Sequence, residues 1–179
     1  YTIKFLARDA ETGRIGTYQT TFTIPNLNTE NTRLPISSVV LSSQRVELKD
    51  ALYTAAKNRD KVDAVAPLIR NGEKLVPSVT RVFSKKRSMF VYLQAYPQGV
   101  SKPRPLIATV SFYRGQTKAF ETLPIEVPDA IENRLNTMPL EFDIPLDGLP
   151  PGKYDCQVNV LDPTGQKAAF WVASIMLIP

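Results

Sequence analysis

The sequence predicts an all-β protein built around a β-sandwich, and three observations carry that prediction. Strand-length runs with period-2 alternation recur along most of the chain, separated by turn residues. Fifteen prolines against eight glycines suit many short strands joined by rigid turns and do not suit a helical bundle. The clearest run, Leu149-Pro-Pro-Gly-Lys-Tyr-Asp-Cys-Gln-Val-Asn-Val160, leaves a Pro-Pro-Gly turn directly into a strand. Tyr154, Cys156, Val158 and Val160 fall on one face of it, and Asp155, Gln157 and Asn159 on the other. Tyr154, two residues before Cys156, matches the Tyr-x-Cys of an immunoglobulin-type tyrosine corner, so the sandwich is expected to be immunoglobulin-like.

At the start of the chain, Tyr1–Ala7 and Thr17–Ile24, joined by the turn Asp9-Ala-Glu-Thr-Gly13, read as a β-hairpin. Two strands are marginal alone, so residues 1–25 are expected to be the remnant of a preceding β domain or to pack on the downstream sandwich. Residues 26–33 are polar and turn-rich and read as a linker. Residues 34–179 are expected to form the sandwich. Ile36–Leu41 is its first short strand, and a long insertion comes next at about 43–74, where alternation is lost. Within it, Leu48, Leu52, Ala55 and Ala56 could line a short helix, or the segment is an ordered loop. Thereafter come strands at Leu75–Phe83, Met89–Tyr96, Leu106–Tyr113, Lys118–Val127, Met138–Ile144, Tyr154–Leu161 and Lys167–Ile178. A start at Tyr1 rather than Met suggests a piece of a longer polypeptide.

Composition narrows the chemistry. With no histidine, His-based triads and most zinc or copper sites are excluded. Cys156 is the only cysteine, so no disulfide forms within the chain, and its inward strand position makes it a small buried apolar residue. The net charge is +5 and the pI about 9.4, but the basic residues are scattered. The densest cluster, Ser84-Lys-Lys-Arg-Ser88, lacks interleaved aromatics and reads as a solvated turn, not a nucleic-acid contact. No apolar run reaches the length of a membrane span. Asp9–Gly13 and Asp162–Gly165 hold carboxylates in tight turns without the spacing of a calcium loop. Glu141 and Asp143 alternate outward on one strand, and Trp171 is expected to be a core or interface anchor.

No nucleophile elbow, phosphate loop, dinucleotide fingerprint or zinc-protease motif occurs, so no catalytic, metal or cofactor residue is expected. The one candidate binding surface is aromatic. Phe90, Tyr92 and Tyr96 share a strand face, and Tyr113 lies on a strand that could neighbour it. Tyr92, Tyr96 and Tyr113 could stack on a sugar or a partner protein if their rings are exposed together. Val91, Leu93 and Ala95 make the other face of that strand apolar too, so both sides are expected to be covered.

Leu75-Val-Pro-Ser-Val-Thr-Arg-Val-Phe83, Ala108-Thr-Val-Ser-Phe-Tyr-Arg-Gly115 and Leu149–Val160 together resemble the C-terminal region of bacterial von Willebrand factor A-related domain proteins of the acidobacterial type. Phe5–Gly13 and Thr21–Pro25 share the resemblance. It implies an exported, extracytoplasmic protein in which this chain is a β-sandwich downstream of the A domain. The Asp-x-Ser-x-Ser metal motif of such A domains is absent, so no metal residue carries over. The expected role is that of a non-catalytic spacer, or of an interaction module with a protein or polysaccharide partner. The alternatives are a carbohydrate-binding module or an accessory domain of a larger enzyme.

Overall fold

The computed structural model describes residues 1–24, 26, 32–47, 67–97, 105–127 and 137–179. Among them all regular structure is β-strand, mostly antiparallel, with no helix. The chain divides into two compact units, Tyr1–Glu30 and Asn31–Pro179.

The first unit is a hairpin of β1 (Thr2–Arg8) and β2 (Ile15–Thr21), paired from Thr2 opposite Thr21 to Arg8 opposite Ile15. Asp9 builds its turn: the carboxylate accepts from the N–H groups of Glu11 and Thr12 at 2.8 and 3.1 Å. Those backbone donors, Thr12 first, hold the Asp9 carboxyl below its ordinary range. Gly13 closes the turn at φ 69°, a left-handed conformation that glycine adopts without a Cβ clash.

The second unit contains two sheets around one core. Strands β3 (Val40–Glu47), β4 (Ile69–Arg70), β5 (Glu73–Pro77), β7 (Ser88–Ala95) and β11 (Met138–Pro145) make a five-stranded sheet in the order β11–β7–β3–β5–β4. The strands of the other sheet are β6 (Val82–Ser84), β8 (Leu106–Arg114), β9 (Thr117–Glu121), β10 (Ile125–Val127), β12 (Gly152–Asp162) and β13 (Lys167–Ile178). Their order is β10–β8–β12–β13–β6, with β9 also on β8. Among the described residues only β13 and β6 pair in parallel. Period-2 alternation decides which side chains enter the core: Met89, Val91, Leu93 and Ala95 from β7 meet Val110, Phe112, Cys156 and Val158 from β8 and β12 in one buried cluster. Each large member buried contributes about 1.5–3 kcal/mol.

Several boundaries differ from the sequence reading. Leu75–Phe83 is not one strand but two, β5 and β6, in different sheets. Ser78 N–H closes the first ladder on Leu41 C=O at 2.7 Å, and Arg81, at φ 55°, opens the second by accepting from Met176 N–H at 2.9 Å. Lys118–Val127 likewise divides into β9 and β10, where Thr122 interrupts by bonding both N–H and C=O of Val110. Ile36 makes only an isolated bridge to Ala95, and the regular strand starts at Val40. Within the expected insertion, residues 43–47, 69–70 and 73–74 are strand. The candidate helical face Leu48, Leu52, Ala55 and Ala56 lies outside the described residues.

Candidate interaction surface

The three tyrosines expected to form a platform do not share a surface. Tyr92 projects from the outer face of β7 but is only 5% exposed. Arg45 stacks on the neighbouring Phe90 at 4.2 Å and reaches Glu141 at 2.5 Å, while Arg70 approaches the other Glu141 oxygen at 3.6 Å. These charged side chains cover Phe90 and lie beside Tyr92, within the row that the sequence offered as aromatic. Tyr96, farther along, is half-buried and donates to Gln94 Oε1 at 3.2 Å. Burial raises both phenol pKa values. Tyr113 stands on β8, opposite Asp155 and Lys118, in the other sheet. The expected adjacency failed because β7 and β8, consecutive in sequence, belong to different sheets.

Beside Tyr92 is a depression of about 50 Å³, edged by Arg45, Arg70, Glu73 and Glu141. Its arginines are matched by carboxylates, with Arg45 also 3.9 Å from Glu73. Ligand pockets start near about 300 Å³, so this volume suits no more than a very small guest. Among the described residues no group of three or more acidic or cysteine side chains could hold a metal. Asp162 is spent on its own turn, accepting from Gly165 N–H at 2.7 Å. Cys156 is fully buried, and burial pushes its thiol up to about 12.

The surface that stands out is the outer face of β13. Phe170 is 66% exposed and Val172 56%, and Met176, Ile178 and Val82 of β6 continue the row. They alternate with Trp171, Ala173, Ile175 and Leu177, which face the core side. The adjacent outer row on β12 is polar and internally bonded: Ser174 donates to Asp155 at 2.6 Å, Gln157 to Asn159 at 2.6 Å and Asn159 to Thr109 at 3.1 Å. Apolar side chains, interrupted at Ser174, therefore line the outer face of β13 against a satisfied polar ladder. The Ser84–Ser88 turn sits at its end, where Lys85 N–H donates to Ile178 C=O at 2.9 Å.

Sequence reasoning missed this stripe, although a signal was present. Lys167–Ile178 is apolar in both alternating registers, a pattern expected of a strand covered on both faces. Here only one face is covered. No protein-family model matches the chain, and no curated protein matches it.

Proposed function

We propose that the chain is a non-catalytic interaction module, built on an immunoglobulin-like sandwich, whose ligand-facing element is the outer face of β13. The observation that carries this reading is the set of exposed apolar side chains on the outer face of β13: Phe170 and Val172 at the open edge and, beyond Ser174, Met176 and Ile178 beside β6. Exposed apolar stripes of this kind, rimmed by polar residues, mark interaction sites. The immunoglobulin-like assignment draws on the tyrosine corner: Tyr154 Oη donates to Pro150 C=O at 2.7 Å, four residues upstream. Resemblance to von Willebrand factor A-related proteins supports an exported setting, with the module downstream of an A domain. A carbohydrate platform loses its support, because Tyr92 is buried and Tyr113 is in the other sheet.

The test is photo-crosslinking in the producing cell. A photoreactive phenylalanine analogue replaces Val172 in one version of the protein and Asp143, exposed on the other sheet, in a second. A discrete adduct from position 172 and none from 143 is expected. No adduct at either position, or the same adducts at both, overturns the reading and leaves a spacer.

A further inference from the structure

Resting on that reading, we propose that β13 takes its partner as an added β-strand: a short extended peptide segment, apolar at alternate positions, with an acidic N-terminal end. The first ground is the backbone. In β13 the odd-numbered residues bond to β12, and the even-numbered ones point their N–H and C=O groups to the opposite edge. That edge is occupied at both ends. Ala168 C=O accepts from Leu34 N–H at 3.2 Å, and Met176 N–H donates to Arg81 C=O at 2.9 Å, where β6 begins. Between these anchors, the N–H and C=O groups of Phe170, Val172 and Ser174 have no partner among the described residues. Phe170, Val172 and Ser174 are also exposed. Unpaired edge groups beside exposed apolar side chains are the two components of recognition by strand addition: the backbone supplies affinity and the alternate side chains supply selectivity.

The second ground is the size of the opening, which decides the kind of occupant. From Phe170 to Ser174 a strand spans roughly 13 Å. A second copy of β13, antiparallel about Val172, would place its Met176 against Ala168, where Leu34 already sits. Its Ala168 would meet Met176, where Arg81 sits. Self-pairing is thus blocked at both ends, and only a free segment of at most about seven residues, opposite 169–175, enters.

The third ground is charge. Exposed Arg81, Lys86, Arg87 and Lys153 gather at the Met176–Ile178 end, with Lys85 among them, and the nearby Asp155 is bonded by Ser174. The Phe170 end carries the largest exposed apolar side chain of the row. Antiparallel pairing, the more stable mode per residue, sets the segment's N-terminal end beside the basic cluster, where carboxylates are complementary.

The probe is the peptide acetyl-Glu-Asp-Thr-Val-Thr-Val-Thr-amide, added to the isotope-labelled protein and followed by NMR. Its Asp lies opposite Ser174 and its valines opposite Val172 and Phe170, on the outer face. At saturation, amide exchange at Phe170, Val172 and Ser174 is expected to slow at least tenfold, with no change at Ala169, Trp171 or Ala173. N-methylation of the first valine, which removes an inter-strand donor without touching the protein, is expected to weaken binding at least tenfold. Exchanging Glu-Asp for Lys-Lys is expected to do the same at low salt. Binding without edge-amide protection, or insensitive to N-methylation, overturns strand addition while the module reading survives. The absence of binding by this peptide, alongside a discrete crosslink at position 172, also overturns the inference alone. Self-association abolished by Val172→Lys would identify a second copy as the occupant and overturn it too.

Discussion

Replacing Tyr154 by Phe removes one oxygen from the core margin and isolates the contribution of its hydrogen bond to Pro150. Tyr154 is 2% exposed, and its ring meets Phe112 edge-on at 6.4 Å, with the Arg114 guanidinium 5.7 Å from its centre. Phenylalanine keeps that packing. What is lost is the 2.7 Å bond to Pro150 C=O. An intramolecular hydrogen bond is worth about 0.5–1.5 kcal/mol net, and an acceptor left dry costs more. Pro150 is exposed, so water re-solvates its carbonyl and the loss falls near about 1 kcal/mol. Tyr154→Ala, which also empties the ring volume, is expected to cost about 3–5 kcal/mol. Urea unfolding monitored by the fluorescence of Trp171, the only tryptophan, reports on the same unit. The Phe variant should show a lower midpoint with an unchanged slope. The reasoning is refuted if the Phe variant matches the parent within about 0.3 kcal/mol, or is as damaged as the Ala variant.

Single contacts set two further outcomes. A Cβ at Gly165 would lie 2.2 Å from the buried Asp162 carboxylate that accepts its N–H, so Gly165→Ala is expected to cost about 1–3 kcal/mol. Gly148→Ala, with nothing within 4 Å of the new atom, should stay within about 0.5 kcal/mol; equal melting temperatures for the two variants would refute the clash. Cys156 predicts an alkaline effect with a definite sign. Its folded pKa, about 12, lies above the ordinary 9.0, so the unfolded chain ionises first as pH rises. This contribution is fully present below about pH 9 and is lost progressively up to about 12. Between pH 8 and 10 the parent should lose about 1.4 kcal/mol more than Cys156→Val, measured from urea midpoints, and parallel losses would refute it.

The strands with an unbroken alternation and turn residues at both ends were legible almost to the residue. Met138–Pro145 and Gly152–Asp162 are the clearest, because one face of each is buried and a one-residue slip would expose it. Legibility failed where backbone bonding rather than side-chain pattern sets the break. Leu75–Phe83 reads as a continuous strand, yet Ser78 and Arg81 bond to different sheets. The tyrosine surface failed for a related reason. Alternation says which residues share a face of one strand, but not which strands are neighbours or what roofs them. Arg45, from β3, covers Phe90 of β7 although the two are far apart in sequence.

By itself, the sequence determined the all-β class and the buried setting of Tyr154 and Cys156, because local alternation and turn chemistry act over a few residues. The tertiary structure alone decided the partition of the strands between two sheets, the burial of Tyr92 and the exposure of Phe170 and Val172. These depend on long-range pairing. Among the described residues the backbone groups of Phe170, Val172 and Ser174 have no partner, while Leu34 and Arg81, both distant in sequence, meet the same edge at its two ends.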